Sequence, residues 1–292
     1  MEAFVPMEKL IKLIYHYHSG FSVQVGATLL IFDYWEGENR QLADVGKITP
    51  QFLRAFEQIF VFISHAHQDH LDPIVYMWEN EGLPITYIVS GDVPVGTKGK
   101  RLNVGQQKTL SQDVTVRAFP STDIGVSYLV TAYGLNIFHA GDLNLWHWRQ
   151  ESSLREIKAA ENAFHAALDT LRGIAIDVAM FPVDPRQGLM YDAGANQFIL
   201  NMKPRVFIPM HWQERPEVAI DFARRSRTNQ TEVLALTRPG VVANLSFSDD
   251  LLDIHIIEPP RDVEELPQAA AERASAPAED PFADTDLPVE ID

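Results

Sequence analysis

The stretch VFISHAHQDHLD, residues 61–72, decides the expected fold, because an apolar run leads directly into a cluster of polar side chains. The branched and aromatic residues at its start are typical of a buried β-strand. Three histidines and two aspartates follow within eight residues. Imidazole nitrogens and carboxylate oxygens are ligands that suit zinc, iron and manganese. The stretch therefore predicts a metal site at the end of a strand.

The spacing inside this cluster favours two neighbouring metal positions. His65 and His67 alternate along the chain, so both side chains can face the same side. Asp69 and His70 are adjacent, and they diverge once the chain turns. Four potential ligands are more than one tetrahedral ion accepts comfortably. We therefore expect one position to take His65 and His67, and the other to take Asp69 and His70.

Several other runs that predict strands also lead into polar side chains. The residues that follow such runs are Asp33, Asp142, Asp184 and His211. His139 lies three residues before Asp142, and His18 lies near the turn between two further predicted strands. From the residues alone, each aspartate could instead be a turn residue and each histidine a structural sheet residue.

An aromatic stretch follows Asp142 and contains Trp146, His147 and Trp148. Aromatic residues commonly belong to a core, but these could also form a wall beside a substrate, with His147 handling a proton. Asp184 is the second candidate for protonating a leaving group. The residues alone leave both interpretations open.

Composition and charge limit the class of protein. The chain has 292 residues, a net charge of −16 and no cysteine, which excludes disulfides and thiolate metal sites. An acidic chain of this kind is a poor candidate for tracking nucleic-acid phosphates. No signal-peptide core and no apolar run long enough to cross a bilayer are visible. We expect a cytoplasmic protein that acts on a small-molecule substrate, without a membrane or nucleic-acid partner.

The chain divides into one large domain and a tail. Residues 1–258 read as closely spaced strands followed by alternating strands and helices, which indicates the α/β class. Residues 259–292 are rich in alanine, proline and acidic side chains, with few large apolar residues. Such a segment cannot bury enough apolar surface to order itself, so we expect a disordered tail.

The pattern His-x-His-x-Asp-His after a strand resembles the signature of the metallo-β-lactamase superfamily of metal-dependent hydrolases. The match includes Asp142 after Ala-Gly and His211 at a strand end, and the resemblance covers roughly residues 9–258. It implies an αββα sandwich, in which two mixed β-sheets are flanked by helices. It also implies a set of metal ligands, with Asp142 bridging the two positions: His65, His67, Asp69, His70, Asp142 and His211.

The same resemblance implies the chemistry. It predicts a hydrolase that uses metal-bound hydroxide to cleave an ester, lactone or phosphodiester bond, with one or two zinc or manganese ions per chain. Asp69 would orient the nucleophile while it binds metal, and Asp33 and His139 would support the ligands. The alternative is a non-catalytic or redox metal-binding protein of the same fold.

One ligand that the resemblance implies is missing. The superfamily places a third histidine of the first position between the first motif and the bridging aspartate, but residues 119–125, FPSTDIG, contain none. Asp123 is the preferred replacement, because it is the strong ligand type in that segment, and His18 is the alternative. A carboxylate there would shift the metal preference toward harder ions such as manganese. The first position could also be weak and only partly filled.

Overall fold

A computed structural model describes residues 9–38, 42–248 and 251–259. The predicted domain therefore lies almost wholly within the described residues. The predicted tail lies outside them apart from Pro259, so its disorder stays a prediction.

The first β-sheet has eight strands, numbered here in chain order. They are β1 (Lys9–Tyr17), β2 (Gly20–Val25), β3 (Thr28–Phe32), β4 (Gln58–Ile63), β5 (Ile85–Ser90), β6 (Lys100–Leu102), β14 (Val242–Ser248) and β15 (Leu251–Ile257). Their order across the sheet is β15-β14-β1-β2-β3-β4-β5-β6. Strands β3 to β6 pair in parallel, and the other pairs are antiparallel.

The second sheet has seven strands. They are β7 (Gln107–Thr109), β8 (Val114–Pro120), β9 (Val126–Ala132), β10 (Leu135–His139), β11 (Val178–Pro182), β12 (Val206–Met210) and β13 (Glu232–Val233). Their order is β13-β12-β11-β10-β9-β8-β7. Strands β10 to β13 pair in parallel, and β7 to β10 pair antiparallel. Strands β7 and β13 were not predicted from the sequence, because strands of two or three residues carry too short a pattern.

Helices flank the two sheets. The α-helices are α1 (Pro50–Leu53), α2 (Ile74–Met77), α3 (Leu154–Asp169), α4 (Ala193–Met202) and α5 (Pro216–Ser226). Short 3₁₀ helices cover Asp44–Gly46, Trp78–Glu81 and Pro185–Met190. Within the part of the chain that the structure describes, no helix is both long and apolar enough to cross a membrane.

The largest apolar core lies between the two sheets. Phe62 of β4 faces Tyr128 of β9 with ring centroids 5.6 Å apart, and Phe32 of β3 stacks on His139 of β10 at 5.2 Å. On its other face, β4 buries Val61 in a second core that includes residues around α1 and α2. Burial on both faces explains why β4 reads as a continuous apolar run. The predicted αββα sandwich is confirmed.

The direction of the strands brings the polar side chains together. Strands β1, β3 and β4 run the same way in the first sheet, and β10, β11 and β12 run the same way in the second. Carboxyl ends of strands with a common direction lie at one edge of a sheet, where α/β proteins place their sites. The residues that follow these ends include His18, Asp33, His65, Asp142, Asp184 and His211.

Candidate metal centre

Asp33 holds the loop that follows β4. Its backbone is left-handed, with φ 41°, and its side chain is 1% exposed. Oδ1 accepts a hydrogen bond from the Ser64 amide over 2.8 Å, and Oδ2 accepts from Ser64 Oγ over 2.5 Å and from His70 Nδ1 over 2.7 Å. Ser64 Oγ in turn lies 2.9 Å from His65 Nδ1. With Nδ1 bonded in this way, Nε2 of each histidine faces the other candidate ligands. These contacts support the bracing role expected for Asp33, which stays a prediction.

Asp184 holds His211 in the same way. Its Oδ2 accepts from His211 Nδ1 over 2.8 Å, and the guanidinium of Arg186 donates to both oxygens over 2.5–3.0 Å. Burial alone would raise the pKa of this fully buried carboxyl, but the bonds from His211 and Arg186 lower it to about 2. These contacts favour the ionised form of Asp184 and hold it against His211 and Arg186. They suggest a positioning role, and the role of Asp184 as a proton donor stays a prediction.

Three side chains form a first candidate metal position. His65, His67 and Asp142 offer ligand atoms that all lie within 4.8 Å of one another. His65 Nε2 is 2.9 Å from His67 Nδ1 and 3.5 Å from Asp142 Oδ2. His65 and Asp142 are buried, whereas His67 is exposed.

Asp142 also faces a second candidate position. Its other oxygen, Oδ1, lies 3.2 Å from His70 Nε2 and 3.4 Å from His211 Nε2. Asp69 belongs to the same cluster as His70 and His211, and so does His18. The two oxygens of Asp142 thus point toward different groups of ligands. This is the geometry that a bridging carboxylate needs.

The donor set fits a metal on two further observations. Within the described residues, the buried atoms His70 Nε2, His211 Nε2 and Asp142 Oδ1 have no hydrogen-bond partner, although such atoms are normally paired. Burial would lower the pKa of His70, but Asp142 and Asp33 raise it well above its ordinary value. The negative charge of Asp142 and Asp33 therefore favours a cation at His70, and a metal ion bound there would replace the proton.

The cluster lies at the floor of a cavity of about 370 Å³. Its walls are formed by His67, Asp69, Thr122, Asp123, Asp142, Trp146, Trp148, Arg186 and His211. The indole rings of Trp146 and Trp148 are stacked, with centroids 5.7 Å apart and planes 12° apart. Trp146 Nε1 donates to the Asp142 carbonyl over 2.7 Å, which ties this aromatic wall to the cluster. Both tryptophans line the cavity instead of packing wholly in the core, and their role as a substrate wall stays a prediction.

His147 lies away from this cavity. It is 2% exposed and does not line the walls, whereas the residues on either side of it do. Burial lowers its pKa, and the charged groups that act on it are Arg149 and Glu161 rather than the metal cluster. The backbone turns tightly here, because the amide of His147 donates to the Leu145 carbonyl over 2.9 Å and Trp148 has a left-handed φ of 36°. This position does not support the role of His147 as a proton donor, which stays a prediction.

Neither proposed replacement joins the first group of ligands in this structure. Asp123 lines the cavity but is exposed, and its Oδ1 accepts from the amide of Ile124 over 2.8 Å, as a turn residue does. It belongs to none of the clusters found among the described residues. His18 lies with Asp69 in the second cluster, not the first. These contacts support neither residue as a ligand of the first position, and both replacements stay predictions.

His139 and Arg186 lie next to the candidate ligands. His139 is fully buried, its Nε2 donates to the Ser19 carbonyl over 2.9 Å, and its Nδ1 accepts from the Gly141 amide over 3.2 Å. It also lies 3.7 Å from Asp33 Oδ2, so it supports the cluster from behind, as expected. Arg186 lines the cavity wall and was not predicted from the sequence. Its signal was its position two residues after Asp184 in a Pro-containing turn.

Comparison with known proteins extends over most of the chain. No protein-family model matches. A protein of Opitutus terrae, named a UPF0173 metal-dependent hydrolase, is 26% identical over 259 residues and covers 78% of this chain and 97% of that protein. A solved metallo hydrolase of Ignicoccus hospitalis has a TM-score of 0.57 and 20% identity, over 86% of this chain and 100% of that one.

A third similar protein of known structure is named after its fold. The metallo-β-lactamase fold protein YhfI from Bacillus subtilis has a TM-score of 0.51 and 12% identity, over 81% of this chain and 99% of that one. These neighbours confirm the fold predicted from the first motif. The chain has the metallo-β-lactamase fold.

Proposed function

We propose that this chain, a member of the metallo-β-lactamase superfamily, is a metal-dependent hydrolase that cleaves an ester, lactone or phosphodiester bond in a small substrate. The hydrolase class agrees with the name of the Opitutus terrae relative. The bond and the metal, zinc or manganese, are our proposal. One observation carries it: unpaired Nε2 and carboxylate atoms converge from both sheets, with Asp142 between two groups of ligands.

The residues of the two positions match the chemistry of a hydrolytic metal centre. Bound zinc or manganese would lower the pKa of a water molecule toward about 7 and polarise the oxygen of the bond to be cleaved. His65, His67 and Asp142 would hold one ion, and Asp69, His70, Asp142 and His211 would hold the other. Imidazole and carboxylate ligands without thiolates are compatible with both zinc and manganese.

Asp69 is suited to orient the attacking water. It lines the cavity, is only partly buried, and has one oxygen 3.3 Å from His18 Nε2. Burial would raise the pKa of Asp69, but His18 and His70 lower it below the ordinary range, so the carboxylate stays ionised and accepts a hydrogen bond from water. This supports the predicted orienting role.

The walls favour a small substrate with an apolar or planar part and a single negative charge. Stacked Trp146 and Trp148 offer an aromatic surface, and a cavity of about 370 Å³ holds only a small molecule. Arg186 places a guanidinium at the wall, with its carbon 5.9 Å from the ring centroid of Trp148. Nε and Nη2 of Arg186 donate to Asp184, so Nη1 is the nitrogen that could reach a substrate. Such a partly compensated charge suits a carboxylate or phosphodiester better than a phosphate monoester.

The test is a panel of chromogenic substrates assayed with the zinc- and manganese-loaded protein. We expect turnover of at least one of p-nitrophenyl acetate, bis(p-nitrophenyl) phosphate and a simple lactone, and its loss in His67→Ala. His165→Ala is the matched control, because His165 is exposed on α3 and bonds only Gln197 among the described residues. Activity that survives His67→Ala would contradict the proposal. Full metal loading with no turnover of any substrate would favour the non-catalytic or redox alternative.

A further inference from the structure

His18 occupies an unusual backbone position beside the metal cluster. It follows β1 with a left-handed φ of 53°, and its carbonyl accepts a hydrogen bond from the amide of His211 over 3.3 Å. His211 is itself left-handed, with φ 60°. Left-handed backbone at residues other than glycine is uncommon and gathers at functional sites. The turn after β1 and the loop after β12 are thus joined at the cluster.

The ring of His18 faces the second metal position. Its Nε2 is buried, lies 3.3 Å from Asp69 Oδ2, and has no geometrically acceptable hydrogen-bond partner in the described part of the chain. Its centroid lies 4.1 Å from that of His211 and 5.7 Å from that of His70. The ligand atoms of these four residues all lie within 4.8 Å of one another.

We propose that His18 is a ligand of the second metal position, and that this ligand makes the second position the high-affinity one. The position then gathers three imidazoles, the carboxylate of Asp69 and one oxygen of Asp142. This inference rests on the metal-binding part of the proposed function and does not depend on which bond is cleaved.

The two positions differ in the number and burial of their ligands. The first offers His65, His67 and one oxygen of Asp142, three donors, one of them on an exposed residue. Three protein ligands leave a tetrahedral ion one place for solvent. The second offers five donors, four of them on buried residues. One ion should therefore remain bound through purification while the other exchanges.

The first test is a calorimetric zinc titration of the metal-free native protein and of the metal-free His18→Asn variant. Asparagine tolerates left-handed backbone, so this variant removes the imidazole with little strain at the turn. We expect two classes of zinc site in the native protein, one tight and one weak. In His18→Asn the affinity of the tight class should fall about tenfold or more, which is the size of effect seen when a metal site loses a supporting group. His67→Asn should remove only the weak class, and His165→Asn should change neither.

An unchanged tight class in a folded His18→Asn protein would overturn the inference, as would loss of the tight class in His67→Asn. A native protein that binds no zinc would instead overturn the proposed metal-dependent function. X-ray absorption of the native protein with one equivalent of zinc gives a second measurement that needs no variant. We expect three imidazole ligands around the zinc. A count of two, from His70 and His211 alone, would exclude His18 as a ligand.

Discussion

At the scale of single residues, Asp184 acts on the metal cluster through another side chain. It accepts from His211 Nδ1, which leaves His211 Nε2 facing Asp142 at 3.4 Å. A carboxylate behind a metal-binding histidine fixes the ring and raises its basicity. Asp184 is therefore a positioning residue.

Asp184→Asn should weaken metal binding by about 10–100-fold, because the amide lacks the charge that supports His211. Metal content after dialysis and zinc titration measure the effect. Asp169→Asn is the control, since Asp169 is an exposed carboxylate that pairs with Arg172 on the surface. If the variant keeps its metal but loses activity selectively toward substrates with poor leaving groups, Asp184 is a proton donor after all.

The segment 146–148 shows that the path of the backbone decides where each side chain points. Trp146 and Trp148 line the cavity, and the intervening His147 is buried on the opposite side. The sequence places all three near Asp142, but only the path of the backbone decides which of them faces the substrate. An imidazole close to a metal site in sequence is therefore not by itself a proton carrier.

At the scale of elements, the connection between β8 and β9 packs against the loop that follows β4. The amide of Val126 donates to the Ser64 carbonyl over 3.0 Å. Gly125, just before it, has φ 79°, and an added Cβ would lie 2.2 Å from the Ser64 carbonyl oxygen and 2.4 Å from His65 Cβ. The close approach of these two loops requires glycine at this position.

A comparison of Gly125→Ala with Gly105→Ala distinguishes the cost of backbone strain from the cost of a steric clash between the two loops. Gly105 has a similar φ of 81°, but an added Cβ there meets nothing within 4 Å. Gly105→Ala should lower the free energy of unfolding by about 1 kcal/mol through strain alone. Gly125→Ala should cost about 1–3 kcal/mol more through overpacking, and it should displace His65 and weaken the first metal position.

Urea denaturation of both variants, together with their metal content, checks this prediction. Equal losses of stability would show that the backbone strain dominates at both positions. Equal metal content would show that the loop after β4 tolerates the displacement of its neighbour.

At the scale of the whole molecule, the metal cluster connects the two sheets. His18 and His70 follow strands of the first sheet, and Asp142 and His211 follow strands of the second. Metals held between them should therefore stabilise the packing of one sheet on the other. A ligand that binds only the folded state adds about 2.7 kcal/mol at 100 times its Kd.

Removal of metal by a chelator should lower the Tm by about 5–10 °C, since 1 kcal/mol corresponds to about 2–4 °C in a domain of this size. Thermal unfolding followed by circular dichroism measures the shift, and added zinc or manganese should reverse it. Elemental analysis must verify that the metal has left. An unchanged Tm in verified metal-free protein would mean that the cluster does not hold the sheets together through a metal.

The sequence by itself indicated the α/β class and a candidate metal site at a strand end. Buried strands are recognisable as apolar runs, and the motif from His65 to His70 is local, so its side chains lie together wherever the strand ends. The residues alone left Asp142 and His211 open as turn or structural residues; the family resemblance implied their roles as ligands, and the structure brings both close to the motif. Short strands such as Glu232–Val233 escaped detection because pairing with a neighbour, rather than their own pattern, defines them.

Only the tertiary structure decided which side chains face one another. His18 meets Asp69 and His211 because two loops from different sheets take left-handed turns there, while Asp123 uses its carboxylate in its own turn. Asp184 accepts hydrogen bonds from His211 and Arg186, which reach it from a neighbouring strand end and from its own turn. These roles depend on side-chain directions and hydrogen-bond partners that arrive from distant strands. A local sequence pattern therefore cannot predict them.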